Sequence, residues 1–407
     1  MKINKIIENY DKGVDLPSNL KTMLLHLFDV DSVDELTNQK IDKLKEANKM
    51  FYTGCDADYS QLAKEYALYY LPVNMYKVWK PLIDLALKRQ VRNDFNILEF
   101  GCGPGSSTFG IIEFFKLLSE ENEKESFNLK FTLLEKEESF LSVFDSLFVE
   151  YKNSLPQNLK VVIEKHNKNI FEDLTFLNNE TYDLILESNV FNINEGVCDN
   201  EIKIIESLSE RLNKHSSIIM IEPGKSIMLE SLRKIKNHFK IRGTLNVFAP
   251  CSCKNAGCEQ YATAALKTNN ISILKELGEI GIKSKDEDYH YFEYLVLRND
   301  DLLNHTNNCP KTTPLNEVKN YEGKRINIEA NVLVTQVTDK SVALKICDGT
   351  LVRKNKIELF IPLNILNKTN IDKSVIDRGS KIRIKKARVI AFNLLECDEF
   401  SSIEIER

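Results

Sequence analysis

No apolar run in the 407-residue chain reaches 18 residues, so no membrane-spanning helix is expected. The first stretch, Met1 to Val14, mixes lysine with glutamate and aspartate and has no apolar core. It reads as neither a secretory signal nor an arginine-rich transit peptide, and a cytoplasmic location without a membrane partner is the default expectation. The glycine-rich stretch 101–105 lacks a following Gly-Lys-Ser/Thr and differs from the dinucleotide pattern Gly-x-Gly-x-x-Gly, and the cysteines form no Cys-x-x-Cys pair. An overall basic excess is missing too, the net charge being −5. Disorder of the whole chain is excluded by a hydrophobic content of 43%. The length favours two or three domains.

The net charge hides an asymmetry. Residues 318–407 carry 17 Lys+Arg against 12 Asp+Glu, a balance of +5, which leaves −10 on the rest. A basic tail on an acidic body suggests a polyanionic partner. Nine cysteines in a cytoplasmic chain do not suggest a disulfide scaffold, and three of them fall within eight residues.

One stretch organises the chain: Asn96-Ile97-Leu98-Glu99-Phe100-Gly101-Cys102-Gly103-Pro104-Gly105-Ser106-Ser107-Thr108. An apolar run ends in an acid, three glycines follow at alternate positions, and an amphipathic segment runs from Thr108 to Leu118. This predicts strand, tight turn and helix. Alternate glycines allow close backbone approach and positive φ, and a helix start offers free N–H groups. The spacing Glu-x-Gly-x-Gly-x-Gly resembles the first motif of class I S-adenosylmethionine (SAM) methyltransferases, which makes Glu99, Gly101, Gly103 and Gly105 cofactor-binding candidates.

From about 93 to 300 the elements alternate. Strands are expected at 96–100, 130–135, 159–164, 182–187 and 216–222, with helices at 106–119, 137–151, 199–213 and 225–239. That is an α/β, doubly wound, Rossmann-like pattern, in which ligands sit at the carboxyl ends of the strands. Glu135 closes the second strand, where a carboxylate can accept hydrogen bonds from a ribose diol. Asn169 and Ile170 follow the third, where a methyltransferase would hold adenine. Glu187, Ser188, Asn189 and Asn192 follow the fourth and would face the methyl group and substrate. The Asp/Asn-Pro-Pro-aromatic turn of many amino-group methyltransferases is absent. Ala249-Pro250-Cys251 has a superficial likeness to a cysteine-nucleophile motif, but it follows the fifth strand and its helix and leads into cysteines, not glycines. No catalytic residue is assigned.

Cys251, Cys253 and Cys258 share one short loop, and Cys309-Pro310 lies 51 residues beyond it. Four thiolates suit zinc or an iron–sulfur cluster, and Cys-Pro at the last position is common in iron–sulfur sites. Cys102, inside the glycine turn, reads as structural, and Cys55, Cys198, Cys347 and Cys397 read as ordinary apolar residues.

Upstream, residues 1–92 read as a helical region with helical spacing over Leu20–Phe28, Asp34–Phe51 and Tyr59–Leu87. A proline kink or break is expected at Leu71–Pro72. The aromatic run Tyr66–Trp79 reads mainly as packing, with a substrate-entrance wall as the alternative.

Four features occur in order: Glu99 to Gly105, Glu222-Pro223-Gly224, Val247-Phe248-Ala249-Pro250-Cys251 and Tyr291 to Arg298, preceded by Tyr69-Tyr70-Leu71-Pro72. Over residues 60 to 310 the chain resembles the methyltransferase-like family associated with the small ribosomal subunit of mitochondria and prokaryotes. The resemblance implies a SAM-type fold, a four-cysteine iron–sulfur cluster of the [4Fe-4S] type and contact with small-subunit ribosomal RNA. It carries over to Cys251, Cys258 and Cys309. The family's further cysteine after the second ligand is unmatched in Cys258-Glu259-Gln260-Tyr261, so either Cys253 substitutes as the fourth ligand or the site is incomplete. The expected activity is SAM-dependent methylation of ribosomal RNA or a part in subunit assembly. The alternative is a non-catalytic RNA-binding assembly factor that keeps the fold.

Residues 301–317 read as a linker. In 318–407, alternating segments at Lys324–Val337, Ser341–Ile346, Lys356–Pro362, Lys381–Phe392 and Ser402–Glu406 predict five strands of a small oligonucleotide-binding (OB)-like barrel. A short helix is expected near 371–377. Lys381, Arg383 and Lys385 would share one strand face, with Ile382 and Ile384 on the other. That basic face suits phosphate tracking on RNA.

Overall fold

The computed structural model describes residues 2–53, 59–172, 174–177, 180–191, 199–224, 226–250, 263–268, 270–282, 289–302, 312–351, 356–368, 376 and 379–406. The chain divides into two compact units, Met1–Ile235 with Ala265–Asp300, and Lys236–Ala264 with Asp301–Arg407.

The first unit is built on the strands β1 (Asp94–Phe100), β2 (Phe127–Glu135), β3 (Leu159–Asn167), β4 (Tyr182–Ser188) and β5 (Leu212–Pro223). Two short strands, β6 (Asn246–Ala249) and β7 (Thr263–Lys267), precede β8 (Tyr289–Arg298) in the chain. The sheet of this unit runs β3-β2-β1-β4-β5-β8. Its first five strands are parallel, and β8 runs antiparallel to β5. Helices Ser106–Glu121, Glu138–Tyr151 and Asp199–Ser209 connect successive strands. This order, with one reversed strand beside β5, is the Rossmann-like class I methyltransferase fold. Central strands covered on both faces carry near-continuous apolar runs. In β1, Ile97, Leu98 and Phe100 are fully buried, and Glu99 is the buried exception. The order reverses between β1 and β4, so the crevice at the carboxyl end of β1 is the topological switch point.

Five helices precede the sheet: Asn4–Lys12, Ser18–His26, Asn38–Thr53, Ala63–Asn74 and Trp79–Leu87. The helix does not break at Leu71–Pro72. Pro72 lies inside Ala63–Asn74, which a 3₁₀ turn, Met75–Val78, follows. The turn is packed against Gly110, where an added Cβ would lie 1.9 Å from the Met75 carbonyl oxygen. Trp79 fixes the same contact by donating its indole N–H to the Gly110 carbonyl at 2.7 Å. Tyr69, Tyr70 and Leu71 are buried, so this part of the aromatic run packs the core.

In the second unit, β9 (Arg325–Val337), β10 (Ser341–Cys347), β11 (Ile357–Pro362), β12 (Lys381–Ala391), β13 (Leu394–Glu396) and β14 (Ser402–Glu406) form one sheet. β9, β10, β11, β13 and β12 pair in a ring, because β12 bonds to both β9 and β13. The ring is a closed five-stranded barrel with β11 and β13 parallel. β14 is an added strand on β12. Closure removes sheet edges. The expected strand at 402–406 is therefore outside the ring, and the closing strand is the three-residue β13. The helix of this unit is Leu363–Lys368, while most of the expected 371–377 segment lies outside the described residues. Ile382 and Ile384 are fully buried, as expected. A bulge at Lys386, with φ 60°, then shifts the register so that Ala387 and Val389 turn inward.

Candidate functional site

The glycine turn lies where β1 ends. Its three glycines have positive φ for different reasons. At Gly101 (φ 62°) a Cβ would lie 2.3 Å from Val190 Cγ2, and at Gly105 (φ 90°) it would lie 2.4 Å from Phe144 Cδ2. At Gly103 (φ 53°) a Cβ would meet nothing within 4 Å. The outer glycines are small because the protein fills the space beside them. The middle one presents bare backbone to open space.

Glu135 ends β2 and braces this turn. One carboxylate oxygen accepts the Gly103 N–H at 2.8 Å and the other accepts the Glu137 N–H at 3.0 Å. Burial raises its pKa, and these backbone donors oppose the rise. Glu99 lies beneath, buried, and accepts the Thr108 hydroxyl at 2.5 Å. Burial pushes it up to about 8, against the Thr108 bond, so Glu99 holds its proton at neutral pH. Burial raises the Cys102 thiol pKa as well, which fits the structural part expected of Cys102.

Asn169 and Ile170 follow β3. Asn167 and Lys168, just before them, donate to the Glu135 carbonyl at 3.0 and 3.1 Å, which joins the ends of β3 and β2. Ile170 is buried. The Asn169 side chain closes its own turn by accepting the Phe171 N–H at 3.0 Å.

Glu187 was expected to face the methyl group, but it is fully buried. It accepts the Val190 N–H at 3.4 Å and hydrogen-bonds to Glu222 of β5. Glu222, also buried, accepts the Phe191 N–H at 2.9 Å. Burial raises the pKa of both; the Glu222 charge raises Glu187 further, whereas the Phe191 N–H, the hydrogen bond from Glu187 and the Lys77 charge favour the Glu222 carboxylate. Lys77 is 1% exposed, and burial pushes it down to about 7. Its ammonium lies 6.0 Å from the Phe292 ring centroid. Lys77 and Val190 were not singled out from sequence, and Glu222 was noted only within Glu-Pro-Gly. A lysine inside the otherwise apolar run Met75–Trp79 was the available signal.

Cys251, Cys253, Cys258 and Cys309 lie outside the described residues, as does Asn192. Among the described residues no group of three or more His, Cys, Asp or Glu could hold a metal. The described cysteines, Cys102, Cys347 and Cys397, are free and buried. Among the described residues no helix is long and apolar enough to cross a membrane.

The basic face of β12 is laced with acids. Lys381 and Arg383 pair with Glu329 at 2.6 and 2.9 Å, and Arg383 and Lys385 pair with Glu404 at 3.3 and 3.2 Å. Cross-strand register imposes these pairs, since Arg383 stands between Glu329 on β9 and Glu404 on β14.

No protein-family model matches the chain, and no curated protein matches it. Among solved structures, a methyltransferase from Pyrococcus furiosus is 17% identical, with 54% of this chain and 81% of its own covered, at a TM-score of 0.31. A SAM-dependent methyltransferase from Clostridium acetobutylicum is 11% identical, with 60% and 99% covered, at 0.31. Precorrin-6y C5,15-methyltransferase from Geobacter metallireducens is 15% identical, with 54% and 87% covered, at 0.32. The fold class rests on the strand order and the reversed β8.

Proposed function

We propose that the protein is a SAM-dependent methyltransferase acting on ribosomal RNA, or during assembly, of the small ribosomal subunit. One observation carries the SAM assignment: Gly103 has positive φ, open space where a side chain would be, and its N–H anchored on Glu135 at the switch point. The residues fit the cofactor. The backbone of 101–105 and the first turn of helix 106–121 would hold its amino-acid end, the Glu135 carboxylate its ribose, and Asn169 with Ile170 its adenine. When bound, SAM supplies a methyl group on a sulfonium sulfur. The protein's own contribution is to hold the acceptor in line with that methyl group and to exclude water. Cys251, Cys253, Cys258 and Cys309 would bind a [4Fe-4S] cluster, with zinc as the alternative, to order the segment that follows β6. The barrel, with its surplus of basic residues, would supply RNA affinity.

Transfer of labelled methyl from SAM to small-subunit RNA tests the activity, and calorimetry with SAM tests the site separately. Protein purified without oxygen should be brown, with about four irons per chain. Colourless protein with one zinc removes the iron assignment. A non-catalytic assembly factor is the second reading, favoured by the burial of Glu187, the acid at the end of β4. SAM binding without transfer would support it.

A further inference from the structure

We propose that Lys77, Glu187 and Glu222 form a buried positioning group. In it Glu187 is a neutral acid donating to the Glu222 carboxylate, Lys77 balances the remaining charge, and the pair holds residues 189–191 against the glycine turn. The proposal rests on the reading of that turn as the SAM site.

Three consecutive N–H groups carry the argument. Asn189 donates to the Ile221 carbonyl at 2.8 Å, Val190 to Glu187 Oε2 at 3.4 Å and Phe191 to Glu222 Oε1 at 2.9 Å. Every acceptor lies at the carboxyl end of β4 or β5. The chain reaches them through Asn189 in the left-handed region, at φ 61°, a strained conformation that surrounding bonds must hold. The segment so fixed places Val190 in the space beside Gly101. It also packs Phe191 against Phe100, with ring centroids 5.9 Å apart. The two acids are thereby tied to the backbone that would cradle the cofactor.

The proton follows from oxygen accounting. Glu187 Oε1 and Glu222 Oε2 are buried and, among the described residues, receive no hydrogen bond from an N–H or hydroxyl donor. Two buried carboxylates side by side cannot both ionise. One proton between them removes a charge and supplies the missing donor. It belongs on Glu187, because Glu222 faces Lys77 and accepts the stronger backbone bond. Among the described residues Glu293 of β8 is a further ionisable group beside the pair, opposite Glu222 in the sheet register.

The tests are Glu187→Gln and Glu187→Leu. The glutamine amide reproduces a neutral acid, accepting from Val190 and donating to Glu222, whereas leucine does neither. SAM affinity, read by calorimetry, should stay within about threefold in E187Q. It should fall by roughly tenfold or more in E187L, about 1.4 kcal/mol. The infrared difference spectrum between wild type and E187Q, taken at neutral pH without SAM, should show the loss of a protonated-carboxyl C=O band. This readout needs neither ligand nor a folded E187L. Loss of an ionised-carboxylate band overturns the proposal, as does equal binding by E187Q and E187L. Wild-type protein that binds no SAM overturns the reading of the turn, and the positioning role with it. Wild-type binding that E187L leaves intact overturns the positioning role alone.

Discussion

Val190 fills the space that a side chain at Gly101 would need, its Cγ2 2.3 Å from the position of the absent Cβ. The turns after β1 and β4 are therefore fitted to each other. Gly101→Ala should destabilise the protein through this overlap, worth about 1–3 kcal/mol, and through its positive φ, worth about 1–2 kcal/mol. Val190→Ala in the same chain should return the overlap part. A double-mutant cycle by urea denaturation should show a favourable coupling of about 1 kcal/mol or more. Additive effects would mean that the two turns do not touch.

Gly103 is the opposite case. Nothing lies within 4 Å of its Cβ position, and aspartate tolerates the left-handed region better than most residues. Gly103→Asp should fold with a loss of only about 1–2 kcal/mol. The new carboxylate would occupy the open space beside Glu135. SAM affinity should fall on the order of a hundredfold, about 2.7 kcal/mol, in calorimetry. Unchanged affinity would remove the middle of the turn from the site.

These two glycines show how much of the site was legible. The pattern Glu-x-Gly-x-Gly-x-Gly after an apolar run marked the turn, because local spacing dictates local backbone. It could not say which glycine serves packing and which serves a ligand, since Val190 and Phe144 approach Gly101 and Gly105 from 89 and 39 residues further along the chain. The alternation of strands and helices was legible for the same local reason: continuous apolar runs alternated with helical spacing. The carboxyl pair was not, because Glu187 and Glu222 meet only when β4 and β5 align. Glu187 read as an acid at a strand end that would face the methyl group and substrate. In the barrel, the basic face of β12 was read correctly as a face, but its acids come from β9 and β14. β13 was missed because three residues carry too little alternation to register.

Glu99 gives stability a pH dependence of predictable sign. Its folded pKa, about 8, lies above the ordinary value of 4.5. Between these limits the folded state binds more protons than the unfolded one, so the contribution of Glu99 is fully present below about 4.5 and is lost as pH rises through about 8. Glu99→Gln cannot titrate, and its carbonyl still accepts the Thr108 hydroxyl. The stability difference between E99Q and wild type, by urea denaturation without SAM, should therefore move in favour of the variant as pH rises. Inside the window the slope should approach about 1.4 kcal/mol per pH unit. A difference independent of pH would mean that Glu99 ionises normally.

The charge ladder on the barrel makes a prediction about RNA. Glu329 holds Lys381 and Arg383, and Glu404 holds Arg383 and Lys385. Such partly exposed pairs are each worth about 0–1 kcal/mol to folding, so Glu329→Gln with Glu404→Gln should change stability little. If phosphates compete with these acids for the basic side chains, removing the acids should strengthen binding. Affinity for single-stranded RNA should rise at low salt. The slope of log K against log salt should steepen by about 0.7 for each phosphate newly contacted. Filter binding over a salt series, with wild type beside the double variant, measures both. Equal affinity and an equal slope would mean that β12 is a solvated face with its charges matched internally, and RNA contact would then have to come from another part of the chain.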